Sequence, residues 1–278
     1  MLDSKIIKKI NDFVYAKPRT IQEIAFLIEK NWRTADAYVE RIANEHGTIS
    51  TRTFREGTRG ALKVAYWNSI EKIHSSEFQE KLFRRIESGR NKEDFSPMDI
   101  FQYVEEKKRR AVIEERSNED ETDVEEFIML LRSAKSQILF FSGNLSFINL
   151  RKVLEVLKEI AERGVLIKIM ARVEIAGISN ITKLLRLNDE IGKTIFEIRH
   201  CCQPLRATIV DGGVARMKEV KLPENYKRGE LDKKTFIFYE IYDAEWVEWL
   251  QKVFWNLFRA SISAEKRIND LKSIKALV

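Results

Sequence analysis

Two almost wholly apolar runs, "QILFFSG" at 137–143 and "VLIKIMARV" at 165–173, bracket "NLRKVLEVLKEIAERG", a segment with a helical stripe that stops at Gly164. No tight turn can join strands across that distance, so the two runs are expected to pair in parallel through a crossover helix. A parallel pair is covered on both faces, which sets an α/β class for this half of the chain. The patterns around it predict a helix over "DVEEFIMLLRSAKS", another over "SNITKLLRLND", strands over "KTIFEIR", "LRATIVD", "GVARMKE" and "TFIFYEIYD", and a closing amphipathic helix, "AEWVEWLQKVFWNLFRAS". Within that last helix "QKVFWNLF" sets its aromatics at helical spacing, as burial against a sheet requires.

The first seventy residues follow a different rhythm. Leu2, Ile6, Ile7, Ile10, Phe13 and Val14 lie at helical spacing, and Pro18 breaks the pattern. Thr20 and Glu23 form a capping box for "IQEIAFLIEK". A third helix, "NWRTADAYVERIANEHG", follows after almost no connector, with Ala35, Tyr38, Val39 and Ile42 inward and Gly47 as its stop. The period then becomes two, in "TISTRTF" and "ALKVAYW" flanking the basic turn "REGTRG".

Between the two regions, "SSEFQEKLFRRIES" places Phe78, Leu82, Phe83 and Ile86 on one face. The segment "SPMDIFQYVEEKKRRAVIEERS" reads as a long second helix with Ser96 as cap, Pro97 at its first position and a thin stripe of Ile100, Phe101, Val104, Ala111 and Val112. A sparse stripe on a long helix points to a spacer or a pairing surface between subunits. The run Lys107–Arg110 is nearly balanced by flanking glutamates and reads as a solvated face. The expected domains are 1–70, a helical connector at 71–122 and 123–278.

Charge follows the same division. Residues 1–70 hold 12 Lys+Arg against 8 Asp+Glu, residues 71–127 hold 11 against 17, and residues 128–278 hold 26 against 18. Two basic regions therefore flank an acidic one, whose sharpest shift is "SNEDETDVEE". No run is long enough to cross a membrane, and charges through "MLDSKIIKKINDF" argue against a signal peptide, so a cytoplasmic protein is expected. Abundant Lys, Arg and Glu with six Gln suits a thermophile. Cys201 and Cys202 are adjacent, cannot staple the fold, and read with His200 as strand residues rather than a metal set.

Three helices and a basic hairpin resemble the winged helix-turn-helix family. The resemblance implies that Asn31, Trp32, Arg33, Thr34 and Asp36 face base edges of double-stranded DNA, with Trp32 packing rather than stacking, and that Arg41, Arg52, Arg55, Thr58 and Arg59 meet phosphates. The "AERGVLIKIM" passage and the strand ending "IVD" resemble one repeat of the phospholipase D superfamily, an α/β/α sandwich. That family's signature runs His, any residue, Lys, four residues, Asp. Anchored on Asp211, it reads Pro204, Leu205, Arg206 and onward to Asp211 in this chain, so the nucleophile is missing and His200 stands four residues too early. No catalytic residue, cofactor or metal is expected.

What survives is a cationic set, Arg206, Arg216 and Lys218, near a sheet edge, suited to an anionic small-molecule effector. The overall plan is similar to that of archaeal TrmB-like regulators, without their separate sugar-binding domain. The resemblances together imply a dimeric DNA-binding protein of transcription-regulator type whose phospholipase D-like domain dimerises or senses a ligand. The alternatives are a phospholipase D-type nuclease and a scaffold in a replication, repair or defence assembly.

Overall fold

A computed structural model describes residues 2–55, 61–68, 77–116, 124–225, 231 and 233–275, which fall into two units, 1–75 and 76–278. The connector expected at 71–122 is not a third body, because its described residues 77–116 belong to the second unit.

In the first unit, α1 (Ser4–Ala16) starts at Asp3, whose side chain caps Lys5 N at 2.9 Å. A two-residue strand, β1 (Arg19–Thr20), precedes α2 (Ile21–Leu27), where the Thr20–Glu23 capping box is formed in both directions. Next come α3 (Trp32–His46), stopped by Gly47 in the left-handed region, and the hairpin β2 (Ile49–Arg55) and β3 (Ala61–Trp67). The strands align β1-β3-β2, so the short β1 ties the second helix to the hairpin. Ile10, Ile24, Ala35, Val39 and Ile42 are fully buried in one core. Each large aliphatic chain there contributes roughly 1.5–3 kcal/mol of burial.

The second unit is built on an eight-stranded mixed sheet in the order β11-β7-β6-β5-β8-β9-β10-β4 among the described residues. Its strands are β4 (Arg109–Arg116), β5 (Gln137–Phe141), β6 (Leu166–Ala171), β7 (Phe196–His200), β8 (Ala207–Val210), β9 (Val214–Lys221), β10 (Lys234–Ile241) and β11 (Ile262–Ser263). The helices are α4 (Glu77–Ser88), α5 (Met98–Phe101), α6 (Glu125–Arg132), α7 (Arg151–Glu162), α8 (Ile178–Ile191), α9 (Ala244–Ala260) and α10 (Ala264–Lys275). The crossover from β5 through α7 to β6 is parallel, as its apolar runs require. Ile138 and Phe140 face the core that holds α6, α7 and α8. On the opposite face Phe141 meets Phe254 of α9 edge-on at 5.3 Å, and Val253, Trp255 and Phe258 of the same helix are buried, which explains "QKVFWNLF".

The long connector helix is overturned. Only Met98–Phe101 is α-helical, a short 3-10 turn covers Glu106–Lys108, and Arg109–Arg116 is β4, paired antiparallel with β10. The segment is rich in helix formers, but eight residues of ladder against β10 outweigh a weak intrinsic preference. No long helix is there to carry the expected sparse stripe. Cys201 and Cys202 are likewise not in a strand; both follow β7 as half-buried free thiols. Sequence patterning also left β1, β11 and α10 unassigned, all either two-residue strands or, in α10, a weakly amphipathic helix.

Candidate functional site

In the first unit the side chains expected to meet DNA separate into three groups. Trp32 and Arg33 are exposed in the first turn of α3, with the Arg33 guanidinium 6.0 Å from the indole. Trp32 is 55% exposed, so its expected packing role is corrected: it presents an open aromatic face. Asn31 is instead the N-cap, its Oδ1 accepting from Thr34 N at 2.9 Å, which leaves its amide NH2 as the group for outside contacts. Asp36 is half-buried and already engaged within the unit. Together with Glu40 it holds Lys63 Nζ of β3, each at 2.6 Å. Burial works against the Lys63 charge, but the two carboxylates overcome it and hold its pKa above the usual value.

Arg41 is exposed and paired with Glu45 at 2.6 Å, one turn along. Arg52 is exposed on β2, opposite Val64. The Arg55 side chain, Thr58 and Arg59 lie outside the described residues. Phe26 of α2, 88% exposed, is a bare aromatic that helical patterning alone does not flag as functional.

In the second unit, strand register brings Arg206, Arg216 and Lys218 together. Arg206 stands opposite Lys218, one residue before β8 begins, and Arg216 stands opposite Thr208. With alternating side chains, all three share the face that carries Phe140 and Phe238. They line a cavity of about 670 Å³, whose walls come from residues 92–97, the start of α6 and the loop after β5. Phe95, Phe127, Phe140 and Phe147 make much of that wall apolar. The cations were expected near a sheet edge but lie on or beside the interior strands β8 and β9, and sequence patterning did not foresee these rings, which come from four separate segments.

The three cations differ in how far their charge is already answered. Arg216 is buried, sits 4.5 Å over the Phe238 ring, and is held by Glu240 at 3.3 Å and Glu126 at 3.5 Å. Lys218 is exposed and lies 4.4 Å over the Phe236 ring. Arg206 donates only to carbonyl oxygens, Leu205 O at 2.7 Å and Gln203 O at 3.2 Å, with no ion pair to a described carboxylate. Burial and the Arg172 charge pull its pKa below the usual arginine value, with Glu93 opposing. An anion entering the cavity would relieve that cost through charge-assisted hydrogen bonds.

The guanidinium also lies against Gly143: a Cβ there would stand 2.8 Å from Arg206 Nη2. Gly143 thus leaves the space that Arg206 occupies.

Pro204 lines the same cavity and offers no side-chain nitrogen. His200 is placed elsewhere, at the end of β7, with Nδ1 accepting from Val173 N at 3.0 Å. Burial, with the charges of Arg267 and Arg172, lowers its pKa against the opposing Glu174, and the bond accepted at Nδ1 leaves Nε2 to carry the ring proton. Asp211 is also taken up by structure. Asp211 and Gly212 both have positive φ, 48° and 66°, in the turn closed by Gly213 N to Val210 O at 2.9 Å. Positive φ at two successive positions is a conformation that Asp and Gly tolerate in hairpin turns.

The Asp211 carboxylate accepts from Lys135 N at 2.7 Å, Ser136 N at 2.9 Å, Ser136 Oγ at 2.8 Å and Gln137 N at 2.9 Å. Burial raises its pKa, but these hydrogen bonds prevail and hold it below the usual carboxylate range.

Among the described residues no group of His, Cys, Asp and Glu is placed to hold a metal ion, and no helix is long and apolar enough to cross a membrane. No family model matches the chain, and no curated protein matches it. Among solved structures it is similar to TrmBL2, an archaeal chromatin protein described as showing a novel mode of DNA binding, at 16% identity over 92% of this chain and 93% of that one, with a TM-score of 0.40. It is also similar to Nuc from Salmonella typhimurium, a phospholipase D family member, at 13% identity over 56% of this chain and 97% of that one, TM-score 0.40. NucT from Helicobacter pylori is similar at 11% identity over 56% of this chain and 99% of that one, TM-score 0.39.

Proposed function

We propose that the chain is a DNA-binding protein of transcription-regulator type, with the first unit as a winged helix-turn-helix that reads duplex DNA and the second as a non-catalytic phospholipase D-like body that holds an anion. The observation that supports DNA binding best is the outward turn of α3. Trp32 and Arg33 are exposed while Ala35, Val39 and Ile42 on the same helix are fully buried, so a firmly anchored helix presents a cation and an aromatic face. Its two acidic residues nearest that turn, Asp36 and Glu40, are answered by Lys63 and do not oppose a phosphate backbone.

Duplex DNA should bind with affinity that falls steeply as salt rises. Arg33→Ala should reduce discrimination between sequences, whereas Arg55→Ala with Arg59→Ala should weaken all sequences alike. No duplex binding in low salt overturns this reading.

The anion reading rests on Arg206, a partly buried guanidinium facing a cavity with no described carboxylate paired to it. The rival reading, a phospholipase D-type nuclease, requires an imidazole beside that cation, and Pro204 stands at the position while His200 holds the Val173 amide. Incubation with single- and double-stranded DNA, RNA and a chromogenic phosphodiester should give no turnover. Turnover abolished by His200→Ala would restore the enzyme.

A further inference from the structure

β4 is the terminal strand of the large sheet and pairs on one side only among the described residues. Among the described residues no strand pairs with its outer edge, where Arg110 and Ala111 are exposed and Ile113 is 66% exposed. An open edge of this length is a template for another strand unless something blocks it.

The backbone parity of the edge follows from one bond. Tyr242 N donates to Lys108 O at 2.8 Å, and Tyr242 lies opposite Lys108 in the continuation of the β10–β4 register. In an antiparallel ladder the hydrogen-bonding residues alternate. Even-numbered residues of β4 therefore turn their amide and carbonyl toward β10, and Arg109, Ala111, Ile113 and Glu115 turn theirs outward.

A second copy pairing antiparallel through this edge must match odd residues with odd residues, which leaves few registers. With Val112 on the two-fold axis, Arg109 stands opposite the second copy's Glu115, Arg110 opposite its Glu114, and Ala111 opposite its Ile113. Shifting the centre to Ile113 sets Arg110 against Arg116 and Ala111 against Glu115. Shifting it to Ala111 sets Arg109 against Ile113. Only the first sets Arg109 and Arg110 against Glu115 and Glu114; it also brings Arg116 opposite Lys108, one like-charged pair against two unlike ones, and directly opposed unlike charges favour a register while like charges oppose it.

We propose that two copies of this chain join through β4, antiparallel and centred on Val112, into one continuous sheet. The contact is isologous and consumes the edge it uses, so it closes at two copies instead of growing into a fibre. Arg110 already holds Glu126 at 3.0 Å and lies 3.7 Å from Glu240, and Glu114 has a partner within its own chain. A pair between Arg110 and the second copy's Glu114 would add to the Arg110–Glu126–Glu240 group. The inference does not depend on DNA binding, and it can fail or stand separately from that reading.

The test is the mass of the full-length protein by sedimentation equilibrium across micromolar concentrations, without DNA. Wild type should be a dimer, and Ile113→Pro, which removes only an outward amide, should weaken it on the order of 100-fold with its circular dichroism unchanged. Arg109→Glu should weaken the dimer, and adding Glu115→Arg should restore it, which decides the matter should the proline variant fail to fold. Because the two Val112 residues form a pair without hydrogen bonds, about 4.5 Å apart at Cα, Val112→Cys should cross-link to itself on oxidation, as read by peptide mass spectrometry. A monomeric wild type, a dimer indifferent to Ile113→Pro and to charge reversal, or self-cross-linking at Ala111→Cys or Ile113→Cys in place of Val112→Cys overturns the proposal.

Discussion

The two units use arginine in opposite ways. Arg33 stands in solvent on a helix whose other face is locked into a core, whereas Arg206 is drawn into a cavity and surrounded by carbonyls, a glycine and aromatic rings. An exposed cation keeps its hydration and acts through the surrounding field, so its partner must be polyanionic and its effect is screened by ions. An enclosed one has lost part of its hydration and gains most from a single well-placed anion. Cation counts alone, which are similar in kind for the two regions, do not distinguish these roles; burial does.

The widest separation between the units should appear with salt. Raising monovalent salt from about 50 to about 200 mM should weaken duplex binding on the order of 100-fold for about four phosphate contacts, as read by fluorescence anisotropy. Binding of inorganic phosphate or a small phosphorylated probe to the cavity should change far less. Equal salt slopes would abolish the contrast.

The next largest effect isolates the cavity. Arg206→Ala should weaken the anionic probe about ten- to hundredfold by calorimetry, the worth of one or two lost charge-assisted hydrogen bonds, and leave duplex affinity unchanged. Gly143→Ala should act in the same direction with little loss of stability, because the group it displaces is the end of a flexible side chain. A probe indifferent to both changes removes the anion site.

Acid and base should then separate the units by stability. The folded-state pKa of Asp211 is depressed, so its contribution is full above the unfolded carboxylate pKa of about 4 and is lost as pH falls through the folded value. Asp211→Ala should destabilise the second unit by about 1–2 kcal/mol at neutral pH, measured by thermal melting, with the gap from wild type closing in acid. Asp211→Asn, which tolerates the left-handed backbone, should cost less.

The smallest effect belongs to the first unit and has the opposite sign. Lys63 has a raised folded-state pKa, so its contribution is full below the unfolded lysine pKa of about 10.4 and is lost as pH rises through the folded value. Lys63→Met should cost less than about 1 kcal/mol at neutral pH, since the pair is partly solvated. A larger loss would show that the hairpin depends on this clasp for its position.

Much of this was legible in the chain because local rules and tertiary packing agree. Thr20 with Glu23, and Gly47 after an apolar stripe, are start and stop signals that the structure uses as read. Arg216 and Lys218 are two apart in a strand, so their shared face follows from alternation; Arg206 joins them only through the hairpin that Asp211 and Gly212 turn. The failures lie where local pattern does not decide. Residues 105–116 are Glu, Lys and Arg around a short Ala-Val-Ile centre, a composition that suits an exposed helix and an edge strand equally, and only the β10 ladder decides between them. Trp32 escaped because a tryptophan in an amphipathic helix usually packs, and its exposure depends on where the first turn of α3 ends. The aromatic wall escaped because no local pattern links residues 95, 127, 140 and 147.

Gly143 carries a consequence for how sequences with this cavity can drift. Its backbone does not need glycine's conformational range; it is the space claimed by the Arg206 guanidinium that excludes a side chain. A replacement at 143 would therefore pass a screen for folding and fail one for occupancy, and it becomes tolerable in the same lineage only if residue 206 shortens. While the cavity is in use positions 143 and 206 should change together, and a change at 143 alone would mark its loss, so their joint variation across descendants would record whether the cavity has stayed in use.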